Sequence, residues 1–279
     1  MGLRPFHCLQ VFRALIFCLL IPVVTFIPAA HAQGSTSELV QISPPTMRRA
    51  APPAATATVD ELEKRADELR VEKNYLDALD YYRAALAKDR NNAKIYNKAG
   101  IAELLMQRFS EAGKDFEHAI HFDHQFADAV NNLGVIDYEA KKYGKAIKQY
   151  SKALRLQPDS ASFYSNLGAA YFGKKEFEKA AQAYAKAMDL DPNIFERISH
   201  NGVSAQLPSP EDRARYDYII AKLWAKHGDR DRSLQYLRRA LEEGYKGIDE
   251  VYKDPEFAEL RGDTRFTELM AARPPAIQE

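Results

Sequence analysis

The chain has 279 residues, of which 46% are hydrophobic and 28% charged, with 39 basic residues set against 39 acidic ones. That composition can bury a sizeable core in one large domain or two smaller ones, and the charge balance lacks the basic excess that nucleic acid attracts. Cys8 and Cys18 are the only cysteines, and both fall in an N-terminal segment expected to be removed, so the remaining chain has no disulfide scaffold, no zinc-thiolate site and no cysteine nucleophile.

That segment, residues 1–32, reads as a secretory signal peptide. Arg4 and Arg13 stand before or at the start of an apolar run over residues 14–27, which is too short for a comfortable membrane span, and Ala30-His31-Ala32 supplies a small-residue cleavage pattern. The other reading is an uncleaved N-terminal anchor, against which Pro22 interrupts the run. After cleavage, no membrane insertion is expected. Phe17 precedes Cys18, which argues against a lipoprotein acceptor. Losing the two arginines leaves 37 basic and 39 acidic residues, a net charge of about −2. Residues 33–58 are rich in Pro, Ala, Ser and Thr without apolar periodicity, and are expected to form a disordered tether.

Periodicity begins at Val59. Four series repeat at a step of 34: Ala66, Gly100, Gly134, Gly168; Ala78, Ala112, Ala146, Ala180; Tyr82, Phe116, Tyr150, Tyr184; and Ala85, Ala119, Ala153, Ala187. Such a period marks an internal repeat of helix-turn-helix units. The small residue in the first helix admits the second helix closely, and the aromatic fills the remaining space. Pro158 and Pro192 stop the second helix of their units.

These residues resemble the tetratricopeptide repeat, most clearly over residues 127–160 and 161–194. The resemblance implies an all-α, right-handed solenoid in which the units 59–92, 93–126, 127–160 and 161–194 stack, because one unit cannot bury enough to fold alone. The register breaks after Ile194 and resumes 53 residues on, with Ala221, Leu237 and Ala240 in place of Gly168, Tyr184 and Ala187. Residues 195–213 are therefore an insertion, expected to be mostly loop, followed by a degenerate fifth unit at 214–247. Ser209-Pro210 marks a helix start, Trp224 is expected to pack on the core side, and Gly244 ends the last repeat helix. Residues 248–279 are expected to form two short capping helices and a tail, with Phe257, Leu260, Phe266, Leu269 and Met270 as their apolar side.

The resemblance also implies a concave groove lined by one side of the first helices. At 100° per residue that side carries Lys94, Asn97, Ile101 and Leu104 in the second unit, Asn131, Val135 and Tyr138 in the third, and Ser165, Ala169 and Phe172 in the fourth. The asparagines suit a peptide backbone, and Tyr138 and Phe172, if exposed, suit apolar anchors. A subfamily that grips a C-terminal carboxylate uses Lys and Asn where this chain has Glu63 and Asp67, so that mode is not expected. Glu103 and Asp137 fall on the core side and call for partners or a raised pKa.

His118, His121 and His124 recur every third residue without further ligands, so no metal is expected. Ser199-His200 lacks an orienting acid, and no phosphate-binding loop is present, so no cofactor is expected. The resulting expectation is a non-catalytic protein-protein interaction module. It would bind an unidentified protein or peptide in the groove, as an exported, periplasmic or extracytoplasmic scaffold or adaptor in the cell envelope. Two alternatives remain. One is a structural subunit of a secretion, pilus or polysaccharide-export assembly using convex or end-on surfaces. The other is an enzyme with residues 195–213 as lid and Glu103 or Asp137 as acid or base.

Overall fold

Local capping chemistry starts most of the first helices of the pairs. Thr58 and Glu61 form a reciprocal capping box at the start of α1 (Val59–Val71). The Asn92 side chain accepts from the Ile95 amide at the start of α3 (Ala93–Leu105), and Ser160 accepts from Phe163 at the start of α7 (Ala161–Gly173). The intervening α5 (Ala127–Glu139) has no side-chain cap. Each is followed by a second helix: α2 (Tyr75–Lys88), α4 (Phe109–Phe122), α6 (Tyr143–Leu156) and α8 (Phe177–Leu190).

This computed structural model describes residues 50–195, 207 and 209–272, all within one unit spanning 49–279. Residues 1–49, which hold the expected signal peptide and most of the expected tether, the interior of the 195–213 insertion with Ser199-His200, and the tail 273–279 lie outside the described residues. Among the described residues no helix is long and apolar enough to cross a membrane.

The hairpin turns repeat as faithfully as the helices. Lys73, Gln107, Lys141 and Lys175 all adopt left-handed backbone, with φ of 64°, 60°, 57° and 62°. Each sits at the C′ position of a Schellman motif, in which the next amide reaches back to Leu69, Glu103, Asp137 or Tyr171 at 2.8–3.0 Å. Gly228 takes that place in the fifth pair, formed by α9 (Pro210–Lys226) and α10 (Arg230–Glu242). Ser209 caps α9 through the Asp212 amide, with Pro210 in the first turn.

Core packing follows the repeat. Tyr82, Phe116, Tyr150 and Tyr184 are buried, and so are the alanines of the other series. A Cβ on Gly100, Gly134 or Gly168 would lie 2.5–2.6 Å from the partner ring, so those three helices approach where only hydrogen fits. In the fifth pair Ser233 stands where the other units have alanine, and its buried hydroxyl donates to the Ala221 carbonyl at 2.9 Å. Trp224 is buried on the core side, with the Arg232 guanidinium 4.4 Å from its ring.

Two stretches differ from the sequence reading. Residues 50–58, placed within a disordered tether, lie against α2: the Tyr81 hydroxyl donates to the Ala51 carbonyl at 2.9 Å and the Lys88 ammonium to the Ala55 carbonyl at 2.8 Å. Pro52 and Pro53 have no backbone N–H, which leaves this irregular segment short of donors for its own carbonyls, and α2 supplies two. At the other end, one of the two expected short helices is a series of 3-10 turns at Ile248–Tyr252, Pro255–Phe257 and Leu260–Gly262, before α11 (Thr264–Ala272). Phe257, Leu260, Phe266, Leu269 and Met270 share one core with Tyr218, Leu234 and Leu237 of the fifth pair.

Candidate functional site

The side of α1, α3, α5 and α7 identified as a groove is organised by a repeat-to-repeat step of 35. The Lys98 ammonium meets Glu63 at 2.6 Å and also Asp67. The Asn132 amide donates to Asn97 at 3.0 Å, and the Asn166 amide donates to Asn131 at 2.9 Å. Asn131 in turn donates to Asn132 at 3.2 Å. The result is one chain of amides running from α7 through α5 to α3, continued by ion pairs between α3 and α1.

This chain locates the expected groove residues. Asn97 and Asn131, both 7% exposed, are rungs between neighbouring helices, and Ser165 is buried at the equivalent place. Tyr138 and Phe172, read as exposed anchors, are buried: Tyr138 lies 5.5 Å from the Tyr143 ring, and Phe172 lies 5.2 Å from Phe177 and 5.9 Å from Tyr216. They stand near the end of the first helix, where the chain reverses and the opening residue of the second helix covers them. Ala169 is buried as well. Lys94 is exposed, and Ile101, Leu104 and Val135 are partly exposed. The accessible strip thus consists of Lys94, Ile101, Leu104 and Val135 together with half-buried Asn132. The sequence reading passed over Asn132 and Asn166; their shared step of 34 with Lys98 is the signal that marks them.

Charge is compensated at the first repeat. Partial burial opposes ionisation of Glu63 and Asp67, but Lys98 and further partners, Lys94 for Glu63 and the Tyr82 hydroxyl with Arg70 for Asp67, hold both carboxyls below their ordinary range. An open concavity of about 690 Å³ lies here, with Asp60, Lys64, Lys94 and Lys98 among its walls. A second, of about 430 Å³, lies between α8 and α9, lined by apolar Ala181, Ala185, Ile219 and Leu223 and by charged Arg215 and Asp254.

The carboxylates considered for chemistry have structural surroundings. Glu103 is buried between Arg83 of the preceding repeat, 3.9 Å away, and Arg108, 3.5 Å away. Burial raises its pKa, and the two arginines work in the opposite direction. Arg83 also makes a two-pronged pair with buried Asp115, at 2.8 and 2.6 Å, tying α2 to α4. Asp137 is half-buried, and its carbonyl accepts the Lys142 amide of the turn. His118 and His121 are exposed and pack on the Phe122 ring, with Tyr96 beside His118. Among the described residues no three His, Cys, Asp or Glu side chains are placed to hold a metal ion.

A model of the TPR repeat matches residues 136–175, and a model of the tetratricopeptide repeat matches residues 161–194. No curated protein matches the sequence significantly. Similar solved structures include MamA, at 22% identity and a TM-score of 0.45 over 68% of this chain and 97% of that one. Pseudomonas aeruginosa PilF is similar at 22% identity and a TM-score of 0.47 over 77% and 82% of the two chains. A thermophilic TPR protein of Thermus thermophilus is similar at 16% identity and a TM-score of 0.48 over 77% and 100%. With models matched over residues 136–194, inside a run of helix pairs that keep the same small and aromatic positions from α1 to α8, the chain carries tetratricopeptide repeats.

Proposed function

We propose that this protein is a non-catalytic interaction module that receives a peptide or protein segment along the face of α1, α3, α5 and α7, and that it serves as an exported scaffold or adaptor in the cell envelope. The observation that carries this reading is the amide chain from Asn166 to Asn97 beside partly exposed Ile101 and Val135. A primary amide has two N–H donors and an acceptor oxygen. Asn132 spends one N–H and its oxygen within the chain, and it remains half-exposed with a second N–H for a ligand carbonyl. Ile101 and Val135 sit one helical turn from Asn97 and Asn131 and offer small apolar contacts at a repeating interval. Such a face, fixed in advance by bonds between repeats, spends little ordering free energy on binding.

Export rests on residues 1–32 and is tested by sequencing the N-terminus of the protein recovered from its source cells. A start at Gln33 supports it, and retention of Met1 or Gly2 refutes cleavage. The binding face is tested by affinity capture from envelope extract with the wild type and with an Ile101→Arg/Val135→Arg variant. Both positions are partly exposed, and because Val135 also packs against the core of α5 to α8, unchanged circular dichroism is required of the variant; Asn131 and Tyr138 are buried and would report on folding instead. Specific loss of a captured protein supports the face, and unchanged capture places the interface elsewhere.

A further inference from the structure

We propose a second interaction surface, the exposed side of α6, which docks an acidic helix of a partner protein. Residues 140–157 contain six cations, Lys141, Lys142, Lys145, Lys148, Lys152 and Arg155, and no acidic residue. All six are exposed, and none makes an ion pair within 4 Å among the described residues. Elsewhere in the molecule cations are commonly compensated: Arg83 by Asp115, Lys98 by Glu63, Lys179 by Glu176, Arg213 by Glu243, Arg265 by Asp231 and Asp263. Lys114 on α4 and Lys186 on α8 are also without an ion pair among the described residues, but they stand beside carboxylates, whereas the six cations of residues 140–157 stand together.

Helix physics works against this arrangement twice. Lys145, Lys148, Lys152 and Arg155 follow steps of three, four and three, so like charges stand as nearest neighbours on one stripe of α6, which destabilises a helix, and Lys141 lies in the left-handed turn before it. Lys142 and Lys145 also lie at the N-terminus, where the dipole favours anions. The equivalent helices α2, α4 and α8 each place an acidic residue in their first turn, Asp77, Glu111 and Glu178, while α6 has none. The opposite side of α6 is fully occupied in the core by Ala146, Tyr150, Ala153 and Leu154. The stripe therefore faces outward as a ridge whose self-repulsion an incoming anion relieves.

The form of the ridge selects among anions. The second helices of the neighbouring repeats are mixed in charge, α4 exposing Glu111 and Glu117 beside Lys114, and α8 exposing Glu178 and Asp189 beside Lys179 and Lys186, so the unmixed cationic stripe is confined to α6. A broad anionic plane such as a bilayer would press those carboxylates against phosphates. No exposed aromatic ring lies on the stripe, since Tyr143 is half-buried and Tyr150 buried, so the stacking platform that single-stranded nucleic acid uses is missing. From Lys145 to Arg155 the ridge runs about 15 Å with a cation at each turn. A second helix with Glu or Asp at alternating steps of three and four repeats at the same interval and meets it charge for charge.

The test is a fluorescence-anisotropy titration of the full protein with a labelled alanine-rich peptide of about 18 residues, five helical turns, bearing Glu in that three-four pattern. A peptide of equal composition with its Glu residues spread around the helix, phosphatidylglycerol vesicles and single-stranded oligothymidine serve as competing probes. The patterned peptide is expected to bind best and to weaken on going from about 50 to about 200 mM salt. A Lys145→Gln/Lys148→Gln/Lys152→Gln variant is expected to bind about tenfold more weakly, with unchanged circular dichroism, and the corresponding Glu variant to lose binding. Ile101→Arg/Val135→Arg leaves this binding intact, which separates the ridge from the face proposed above. Equal binding of the scrambled peptide, a preference for vesicles or oligothymidine, binding unaffected by the Gln variant, or no binding overturns the proposal. A concentration-dependent dimer abolished by the same Gln variant overturns it as well, in favour of a second copy of this chain.

Discussion

At the scale of single residues, the repeat exposes which side chains are constrained by space and which by polarity. Gly134 and Tyr150 meet so closely that a Cβ on Gly134 would lie 2.6 Å from the ring. Gly134→Ala is therefore expected to lower stability by about 1–3 kcal/mol, read from urea unfolding. The Tyr150 hydroxyl is buried without a protein hydrogen-bond partner, and the second repeat already uses Phe116 at this place. Tyr150→Phe is expected to be neutral or stabilising, whereas Tyr82→Phe gives up a 2.6 Å bond to Asp67 and is expected to lose about 1 kcal/mol. Gln107→Gly, at a φ of 60°, is expected to gain up to about 1 kcal/mol, because a side chain is strained there and glycine is not. The glycine and aromatic positions were readable from the step of 34 alone. The hydroxyl partners were not, since they depend on whether Asp67 or some other residue reaches the ring across the hairpin.

At the scale of helices, sequence periodicity placed the small residue of each first helix, Ala66, Gly100, Gly134 and Gly168, in the core, but Asp137, expected on the core side, is half-buried, and the opposite side was misjudged. A helical projection treats everything away from the partner helix as solvent. In the stack, the next first helix covers Asn97 and Asn131, and the start of the second helix covers Tyr138 and Phe172. Only positions between these two covers, such as Ile101 and Val135, keep an open face. The absence of acids between residues 140 and 157 was visible in the sequence, but the lack of ion pairs across to α4 and α8 needed the fold. On α9, burial raises the Asp217 carboxyl to about 7; Arg239 opposes the shift and Glu243 adds to it. A folded-state pKa above the unfolded value of about 3.9 means that the native state binds more protons, so stability falls as pH rises from about 4 to about 7 and then levels off. Asp217→Asn is expected to be more stable than wild type at pH 8 and equal to it near pH 3.5, measured by thermal melts across that range.

At the scale of the whole molecule, the repeats form a series that needs an end. The turns at 248–262 and α11 close the fifth pair by placing Phe257, Leu260, Phe266 and Leu269 on Tyr218 and Leu237. A chain ending at residue 247 is expected to melt at lower temperature and to bind a hydrophobic dye, because that apolar face is then open to water. The composition of this cap was legible as a cluster of apolar residues after the last repeat. Its turns were not, because Asp254-Pro255 and Gly262 interrupt it at intervals too short for a helix.

The step of 35 between bonded amides also bears on how the chain can change length. Each rung joins one repeat to the next through the same two places, so the partners are defined by position and not by identity. Excising residues 127–160 would bring Asn166 to the place Asn132 now holds beside Asn97, and Phe116 and Tyr184 would still each fill their own hairpin. The shortened protein would keep an unbroken polar seam while losing the whole α6 ridge. Gain or loss of a single unit can therefore add or delete one docking surface and leave the other in register.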